Sequence, residues 1–580
     1  MKSYKRKILS ILFLPLLFVL LFFTFNQEST IGPESKFSEV RIFAASENDI
    51  RVMSNAGLLI DHAIRKPGEF MDAWLSEEEI DMLKKSGVPY QTLVDDWQQY
   101  YESQPKMTSV EIDAQMREAS EKDNITHSIF GSMGGYMTYT EAASKLDSMR
   151  MWYPQFISAK FSIGTTYEGR QIWAVRVTKN PDAPSGRPEA LYHALIHARE
   201  PESMETQFYY MFWLFENYDT DPLARYILNN REIYWIPVYN ADGYVYNQTT
   251  NPNGGGMWRC NRHFTSGSCG PVDLNRNYGI YQYWNSSNNG SSTDPCAGGQ
   301  GTYRGTNPFS EPETQAMRNF VNSRNFNSSF NAHTFGNYLI KPWAWIDPQV
   351  TPDDNKYEEY LSDMKASNPI YISGTSSQTL GYYIRGGSYD WEYNDSGHTK
   401  IIAILPETGT SFWPPQSQII PLAQGMLFNN QYMSLIAGPF LKLLSTSFNL
   451  PAYIPGQSGN FKVRFRNKGL MAANNTKIIW TAGNANITIP IDQYTFNVPV
   501  FSSDSANFNF TISAGAPNNC YIPTTLTIKT DTVTVYTQNI YVPVGTPSGT
   551  TVFNDQGNNF SNWNTDGTWN ITTAQFNSPP

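Results

Sequence analysis

The chain has 580 residues and a formal net charge of −10 at pH 7. This length is too great for one hydrophobic core, and a domain size of roughly 150 residues predicts three or four structural units. The negative charge, with no clustered basic face, excludes nucleic acid as an expected partner. Aromatic residues make up 14% of the chain and charged residues only 16%, a balance that favours an extracellular protein.

The N-terminus has the pattern of an export signal. Basic residues between positions 2 and 7 precede an uncharged apolar run over residues 8–25. The run is longer than the usual hydrophobic segment of a signal peptide, and no small-x-small cleavage site follows directly, so a retained membrane anchor stays open. Pro15 disfavours a regular spanning helix. We therefore expect residues 1–30 to be removed as a signal peptide, and the protein to be secreted or displayed on the cell surface.

Residues 38–105 have the pattern of a small α+β unit in βαββαβ order. Strands are predicted over residues 38–44, 58–61 and 91–94. Ser76 with Glu79 predicts a capping box at the start of the second helix, which ends at Gly87. A charged, polar connector over residues 106–126 follows. The unit is interpreted either as a propeptide or as a permanent accessory domain, and the sequence favours the two interpretations almost equally.

Residues 127–440 alternate strands and helices, which predicts an α/β domain. Beyond this region, short alternating strands between Gly, Asn and Pro turns predict an Ig-like β-sandwich over residues 441–545. Residues 546–580 are expected to be a linker and the start of a further β module.

Two further capping boxes are predicted inside the α/β region, at Thr138 with Glu141 and at Ser310 with Glu313. Acidic residues are favoured in the first turn of any helix. Glu311 and Glu313 are therefore interpreted as residues that start a helix and not as catalytic acids.

His197 and Glu200 stand three residues apart, directly after an apolar run over residues 191–196 that predicts a buried strand ending at His197. Pro201 then opens a helix. An imidazole and a carboxylate at the end of a strand suit zinc, and His333 is available downstream as a third ligand. Three protein ligands leave a fourth position for water, which indicates a catalytic site.

Glu407 follows a second predicted buried strand, residues 401–405, and should emerge at the same edge of the sheet as the metal ligands. A carboxylate in such a partly desolvated place can take a proton from water and pass it to a leaving amine. Cys269 and Cys296 flank a loop rich in Asn, Ser and Gly, and we expect a disulfide between them. Cys260 and Cys520 are expected to be unpaired.

Six segments carry these and further polar residues, in a fixed order along the chain. They are His197-Ala198-Arg199-Glu200, Met257-Trp258-Arg259, Asp273-Leu274-Asn275-Arg276-Asn277, Asn331-Ala332-His333-Thr334-Phe335, Tyr382 with Gly386-Gly387-Ser388-Tyr389-Asp390-Trp391, and Leu405-Pro406-Glu407-Thr408-Gly409. Together they resemble the zinc metallocarboxypeptidases of the carboxypeptidase A and B type. The region that carries the resemblance makes up a little over half of the chain.

The resemblance implies a fold class and an activity. The fold is an α/β catalytic domain with a mixed sheet, preceded by the small α+β domain and followed by one or more β-sandwich domains. The activity is hydrolysis of the C-terminal peptide bond of peptides or proteins with a free C-terminus. One Zn²⁺ per catalytic domain is implied, held by His197, Glu200 and His333.

The resemblance also implies roles for individual residues. Glu407 becomes the general base and acid, and Arg259 stabilises the oxyanion that develops on the scissile carbonyl. Asn275 and Arg276 bind the terminal carboxylate of the substrate, where a planar guanidinium can contact both oxygens. Tyr382 matches a mobile tyrosine that closes over the substrate.

Three positions leave the specificity open. Arg199 matches a residue lining a neighbouring subsite, but a salt bridge that orients Glu200 is an equal alternative. Tyr389 stands at the floor of the specificity pocket, where a phenol shortens the pocket, so the preferred terminal residue cannot be carried over from the family. Phe335 replaces a common tyrosine, with the loss of one hydroxyl.

Two rival functions stay open at this point. The first is a peptidase that acts on cell-wall peptides, whose substrates also end in a carboxylate. The second is an adhesive or carbohydrate-binding surface protein with an inactive peptidase domain, in which the C-terminal β-domains contact a cell surface or a polysaccharide.

Overall fold

The computed structural model describes residues 36–545, apart from residues 45, 59, 61, 62, 67, 268, 289, 297–300, 531 and 532. The expected signal peptide and the expected module over residues 546–580 lie outside the described residues. Within the described part of the chain, no helix combines the length and the apolar character needed to cross a membrane.

The N-terminal region, residues 36–123, forms a four-stranded sheet in the order β2-β3-β1-β4 with helices beside it and after it. Its elements are β1 Phe37–Ile42, α1 Glu47–Asn55, β2 Ile64–Lys66, β3 Phe70–Ser76, α2 Glu77–Ser86, β4 Tyr90–Val94, α3 Trp97–Ser103 and α4 Ser109–Asp123. The βαββαβ order agrees with the prediction. The capping box of Ser76 with Glu79 forms, and Gly87 ends α2 with a left-handed φ of 74°.

The strand predicted over residues 58–61 is wrong where the structure describes it. Leu58 and Ile60 lie outside every strand, although both pack into the core of the N-terminal region. Their apolar side chains are buried, but their backbones are not part of a strand. The strands β2 and β3 pair with each other instead.

The central region carries an eight-stranded mixed sheet in the order β11-β10-β12-β9-β7-β8-β6-β5. Its strands are β5 Phe161–Thr165, β6 Gln171–Val177, β7 Glu189–Ala194, β8 Glu232–Ile236, β9 Phe326–Ala332, β10 Tyr338–Ile340, β11 Ile372–Gly374 and β12 Ile402–Glu407. Its helices are α5 Tyr139–Trp152, α6 Glu202–Glu216, α7 Pro222–Asn230, α8 Ala241–Thr250, α9 Tyr281–Trp284, α10 Pro312–Asn322, α11 Asp354–Ser367, α12 Ser376–Thr379, α13 Ser388–Asn394 and α14 Ile419–Ile436, with short 3₁₀ turns at Leu274–Arg276 and Gln416–Gln418.

The middle of this sheet is parallel and almost entirely buried. β7 pairs in parallel with both β8 and β9, and β12 pairs in parallel with β9. Parallel strands end at the same edge of a sheet, so β7, β9 and β12 bring their carboxyl ends together side by side. α6 and α14 cover this part of the sheet, and their apolar faces join its main core.

The C-terminal region is a sandwich of two antiparallel four-stranded sheets, β13-β14-β18-β16 and β17-β15-β19-β20. Its strands are β13 Leu441–Phe448, β14 Ser458–Asn467, β15 Ala473–Ala482, β16 Ile487–Thr488, β17 Gln493–Val498, β18 Ser503–Ile512, β19 Cys520–Thr530 and β20 Val533–Val544. Phe461 and Phe508 of one sheet pack on Trp480 of the other, with ring centroids 4.5 and 5.8 Å away.

The sandwich is attached to the central region by charged and polar contacts. Arg466 donates two hydrogen bonds to Glu359 of α11, at 3.0 and 2.8 Å. Buried Arg231 donates to the carbonyl oxygens of Leu435 and Pro439 at 2.8 and 2.6 Å, where the chain passes from α14 to β13. These contacts hold the sandwich against the central region, close to the place where the chain enters the sandwich at β13.

One predicted capping box forms in the central region and the other does not. Thr138 and Glu141 cap α5 reciprocally. α10 instead starts at Pro312 with Glu311 as its N-cap residue and without a side-chain cap. Glu313 accepts a hydrogen bond at 3.0 Å from the backbone N–H of Tyr167, so its carboxyl group joins α10 to the loop after β5.

Glu313 makes the stability of the fold depend on pH. Burial raises the pKa of its carboxyl group to about 8 from an unfolded value near 4.5. Between these two values the folded state binds more protons than the unfolded state, so the free energy of unfolding falls as the pH rises. The stabilisation is complete below about pH 4.5 and is lost as the pH passes about 8.

We predict that Glu313→Gln reduces the difference in unfolding free energy between pH 5 and pH 9. One pKa unit corresponds to about 1.4 kcal/mol, so the wild-type loss from this group is at most a few kcal/mol. Denaturant unfolding of both proteins at the two pH values measures the difference. An identical pH dependence in the wild type and the variant would contradict the prediction.

Candidate active site

The three predicted metal ligands meet at the carboxyl edge of the central sheet. His197 and Glu200 lie in the loop between β7 and α6, and His333 follows the last residue of β9. Their ligand atoms all lie within 4.8 Å of one another, and the three residues are buried. β7 and β9 are neighbours in the sheet, which brings together residues that are far apart in sequence.

The donor set suits a zinc ion. Nδ1 of His197 lies 2.8 Å from one oxygen of Glu200, and Nδ1 of His333 lies 2.9 Å from the other. Two imidazole nitrogens and one carboxylate, converging in a buried place, match the two-histidine, one-glutamate ligands of catalytic zinc sites.

The strand and helix boundaries differ from the prediction by a few residues. β7 ends at Ala194, and Leu195 adopts a left-handed φ of 54° that turns the chain out of the sheet before His197. Pro201 is the N-cap residue of α6, so the helix begins at Glu202, one position after the predicted start. A sharp bend at a buried leucine is a tertiary feature that an apolar run does not reveal.

Glu407 is the last residue of β12 and lies directly beside His333. The two residues form an isolated parallel bridge, in which His333 N–H donates to the Pro406 carbonyl at 2.9 Å and Thr408 N–H donates to the His333 carbonyl at 3.0 Å. The carboxylate therefore belongs to the same edge as the metal ligands, in a place that is only 1% exposed.

Asp273 connects the metal ligands to two arginines, and sequence reasoning assigned it no role. One carboxylate oxygen lies 3.2 Å from Nε2 of His197, and the other accepts from Nε and Nη2 of Arg259 at 3.1 and 2.7 Å. Arg276 lies 3.6 Å from the same oxygen. Burial opposes ionisation of Asp273, but the two guanidinium groups and His197 hold its pKa well below its usual range.

Two buried asparagines hold the loops that carry His197 and Arg259. Asn247 donates to the carbonyl oxygens of Ala198 and Trp258 at 2.9 and 2.8 Å. Asn240 donates to the Ile196 and Arg259 carbonyl oxygens at 3.3 and 3.2 Å. These asparagines lie 40 to 50 residues after the ligand motif, and no local signal in the sequence identifies them.

Asn275 and Arg276 lie beside the loop that precedes α13. The side-chain oxygen of Asn275 accepts from Ser388 N–H at 3.0 Å, and Arg276 donates to the Gly290 carbonyl at 2.9 Å. The carbonyl group of Arg276 is packed so closely on Gly386 that a Cβ there would approach its oxygen to 2.2 Å. Glycine is therefore required at this contact.

Arg199 stacks on an aromatic ring close to the ligand motif. Its guanidinium lies 3.9 Å from the centre of the Phe412 ring, and Phe412 packs edge-on against Phe335 at 4.8 Å. Arg199 therefore stacks on an aromatic surface, and its role, as a subsite residue or as a partner that orients Glu200, stays a prediction. The replacement of tyrosine by Phe335 makes that surface more apolar.

The N-terminal region packs against this aromatic surface and against Tyr382. Trp74 of β3 lies edge-on to Phe335 and Phe412, with centroids 4.8 and 6.0 Å away. Arg65 of β2 lies against Gly381, where a Cβ would come within 1.9 Å of its guanidinium. Burial lowers the pKa of Arg65, while the nearby phenol of Tyr382 opposes that shift.

A cavity of about 710 Å³ lies between the N-terminal region and the central region. Arg65 and Met71 line it on one side, and Arg276, Gly381 and Tyr382 line it on the other. The N-terminal region therefore covers the side of the cleft where Arg276 lies.

The disulfide between Cys269 and Cys296 is present. Cys260 is a buried thiol and donates to the Gly301 carbonyl at 3.3 Å, and Cys520 is a partly exposed thiol. All four cysteines are in the state that the sequence predicts.

Comparison with known proteins identifies the family. A family model described as zinc carboxypeptidase matches residues 143–429. Carboxypeptidase A2 of Mus musculus is 29% identical over 372 residues, which are 60% of this chain and 84% of that protein. Carboxypeptidase A1 of Sus scrofa is 31% identical over 299 residues, which are 50% of this chain and 67% of that protein.

Solved structures agree in fold. A carboxypeptidase A from Helicoverpa armigera superposes with a TM-score of 0.55 at 20% identity, over 70% of this chain and 98% of that one. Thrombin activatable fibrinolysis inhibitor superposes with a TM-score of 0.52 at 20% identity, over 69% of this chain and 98% of that one.

The chain belongs to the zinc carboxypeptidase family. It is a metallocarboxypeptidase, a peptide hydrolase that cleaves the C-terminal peptide bond of substrates with a free C-terminus, and zinc is its cofactor. The mixed-sheet fold class predicted from the sequence is confirmed.

We predict that Asp273→Asn weakens zinc binding. A carboxylate that accepts from the second nitrogen of a ligating histidine orients the imidazole and raises its basicity, and its loss typically costs roughly 10- to 100-fold in metal affinity. Competition with a chelator measures the zinc affinity directly. Asp353→Asn is the matched control, because its carboxylate binds Lys356, Lys400 and Tyr393 instead. Equal zinc affinities in the two variants would show that Asp273 does not act on the metal site.

Proposed function

We propose that the chain removes C-terminal residues with His197, Glu200 and His333 as the zinc ligands and Glu407 and Arg259 as the catalytic residues. The observation that carries this assignment is the convergence of three buried ligand atoms within 4.8 Å, directly beside Glu407. When bound, zinc supplies a Lewis acid and lowers the pKa of its water.

Glu407 is proposed to hold and move the proton. Three observations support this role: Glu407 ends β12, its backbone forms a bridge with that of His333, and the residue is buried. There it takes a proton from the attacking water and returns it to the nitrogen of the leaving residue.

Arg259 is proposed to stabilise the negative charge that develops on the scissile carbonyl oxygen. Asp273 holds its guanidinium through two hydrogen bonds, so the group is oriented before the substrate arrives. A donor that needs no reorganisation is worth a few kcal/mol of transition-state stabilisation.

Arg276 and Asn275 are proposed to bind the terminal carboxylate, with Tyr382 closing over it. Asn275 accepts from Ser388 through its oxygen, so its amide nitrogen is the group that can donate to a ligand. A guanidinium beside such an amide suits a carboxylate and excludes internal peptide segments, which have none to offer.

We predict that Glu407→Gln retains zinc and lowers kcat by roughly 10²- to 10⁴-fold, the usual loss for a general base. Release of the terminal amino acid from a short peptide measures turnover, and metal analysis of the same sample measures zinc. Glu313→Gln serves as the matched control, because it makes the same substitution at another buried carboxyl group, which contacts the loop after β5. Near-normal turnover by Glu407→Gln would refute the assigned role.

We also propose a domain organisation. Residues 1–30 form a signal peptide, residues 38–105 a propeptide-like domain, and residues 106–126 the connector. Residues 127–440 form the catalytic domain, residues 441–545 the Ig-like sandwich, and residues 546–580 a linker with the start of a further β module.

The N-terminal domain is proposed to inhibit the enzyme by covering its cleft. Trp74 occupies the aromatic surface of Phe335 and Phe412, and Arg65 lies against the Tyr382 loop. Trp97 and Gln98 of α3 add hydrogen bonds to the carbonyl groups of residues 255 and 254, each at 3.2 Å. A peptide cannot use the same surfaces at the same time.

We predict that cleavage after Lys106, an exposed residue between α3 and α4, raises carboxypeptidase activity severalfold. Lys106→Gln should resist the cut and keep the low activity.

In the cut protein, Trp74→Ala should weaken inhibition by the N-terminal domain by roughly tenfold or more, as expected for a buried aromatic anchor. Leu93→Ala, on an exposed face of the same domain, should leave it unchanged. Activity that does not change on cutting would favour a permanent accessory domain.

Secretion or cell-surface display is proposed on the basis of the N-terminal sequence and the disulfide, since such bonds persist in oxidising compartments.

Contact with a cell surface or polysaccharide is proposed for the sandwich. Its outer face carries two half-exposed tyrosines, Tyr521 and Tyr541, on the neighbouring strands β19 and β20.

A further inference from the structure

Arg259 and Arg276 lie on two segments that have little regular structure of their own. The described part of residues 251–273 forms no helix and one short bridge, between Ser266 and Cys269, and Arg276 ends a 3₁₀ turn of three residues. A displacement of about 1 Å in a group that positions a substrate can cost roughly a hundredfold in rate. Hydrogen bonds from neighbouring elements must therefore keep these two segments in place.

Glu311 binds the segment that follows Arg259. Glu311 is the N-cap residue of α10, but its side chain does not cap the helix and the residue is only 2% exposed. One carboxylate oxygen accepts from Nδ2 of Asn261 at 2.7 Å. Asn261 N–H donates to the Val272 carbonyl at 3.0 Å, and Val272 N–H donates to the side-chain oxygen of Asn261 at 2.8 Å. Glu311 is therefore bonded to a point two residues after Arg259, and that point is bonded to the residue before Asp273.

The same carboxylate reaches the segment that carries Arg276. Its other oxygen accepts from the hydroxyl of Ser310 at 2.7 Å. Nδ2 of Asn277, the residue after Arg276, donates to that hydroxyl oxygen at 2.8 Å. The side-chain oxygen of Asn277 accepts from the backbone N–H of Glu311 at 3.2 Å. Both arginine segments are thus bonded to one residue at the start of α10.

The helix α10 gives Glu311 a fixed place outside the cleft. It packs against β5, and its apolar residues Ala316, Met317 and Val321 lie in a buried core cluster with Leu191 of β7. A packed helix on a sheet is a rigid support, because its core side chains are close-packed. The positions of the two arginine segments are therefore set by the sheet that also carries the metal ligands.

We propose that Glu311 is a positioning residue for the hydrolysis. Through its bonds to the two segments it sets the separation of Arg259 and Arg276. This step rests on the proposed function, in which Arg259 stabilises the oxyanion and Arg276 binds the terminal carboxylate. Glu311 is not a catalytic residue, because it acts on the substrate only through the segments that it holds.

The two arginines affect different kinetic constants when they are displaced. Arg276 binds the carboxylate both before and during the reaction, so its displacement raises KM. Arg259 acts on a charge that develops only in the transition state, so its displacement lowers kcat. A residue that only stabilises the fold lowers the thermal midpoint and leaves both constants of the folded enzyme unchanged.

The first test is Glu311→Ala in the zinc-loaded full chain, both intact and cut after Lys106. Release of the terminal amino acid from a short peptide is measured below the thermal midpoint of each variant, and zinc is measured in the same sample. With zinc retained, kcat should fall and KM should rise, which together lower kcat/KM by roughly tenfold to a hundredfold. Unchanged kcat and KM in this variant overturn the proposal.

A reversal of the hydrogen bond to Asn261 gives a second test, which also serves if Glu311→Ala does not fold. Asn261→Asp places a second buried carboxylate against that of Glu311 and should lower kcat/KM to a similar extent, because two like charges repel each other there. Adding Glu311→Gln to Asn261→Asp restores one donor and one acceptor in the opposite sense, and the new carboxylate still accepts from Val272 N–H. The double variant should recover most of the lost kcat/KM. No loss in Asn261→Asp, or no recovery in the double variant, contradicts the proposal.

Two further variants are the matched controls. Glu313→Ala removes a buried carboxyl group two residues along α10, whose bond goes to the backbone of Tyr167. His263→Phe removes another partner of the Glu311 carboxylate, at 2.8 Å, and keeps a ring to stack on Tyr167. Both should leave kcat and KM unchanged, whatever their thermal midpoints. A loss in Glu313→Ala equal to that in Glu311→Ala would show a general effect of α10 and overturn the specific role of Glu311.

The wild type separates this proposal from the function on which it rests. Chelator-sensitive release of the terminal residue supports the proposed function, and variants with unchanged constants then overturn the positioning role alone. No release by the wild type, before and after the cut, refutes the proposed function and the positioning role with it.

Discussion

The buried carboxylate of Asp273 is the interaction on which the geometry of the site depends. One of its oxygens lies 3.2 Å from Nε2 of His197, the other accepts from Arg259, and Arg276 lies close by, so one group connects a proposed metal ligand with the two arginines proposed to bind the oxyanion and the terminal carboxylate. In a low-dielectric interior these charges act on one another far more strongly than they would in water. Removing any one of them leaves another buried charge without compensation, which costs more than the pair itself is worth.

The central sheet determines where this network can form. β7, β9 and β12 are adjacent and parallel, so the loop after β7, the end of β9 and the end of β12 open at one edge. The buried asparagines Asn240 and Asn247 then hold the Arg259 segment against that edge. Local rigidity at the site therefore comes from backbone groups that are hydrogen-bonded to buried amides, and the metal ligands are held before any ligand binds.

Much of this could be predicted from the sequence, because the important signals are local. His197, Glu200 and Glu407 each follow an apolar run, and the end of such a run is visible without a structure. Asp273 lies 76 residues from His197, and nothing near it reveals the contact. The capping box expected at Ser310 failed for a similar reason, since Pro312 starts α10 and Glu313 binds a backbone group 146 residues earlier.

The replacement of a tyrosine by Phe335 has a physical reason in the way the N-terminal region binds. Trp74 packs edge-on against Phe335, and this contact is almost completely buried. A tyrosine hydroxyl at that interface would need a partner or lose its hydration, a cost of roughly 1–3 kcal/mol. Phenylalanine avoids the cost, and under the proposed inhibition the same apolar ring would meet a substrate after the N-terminal region is removed. The proposed inhibitory domain and the proposed substrate therefore both favour an apolar ring at this position.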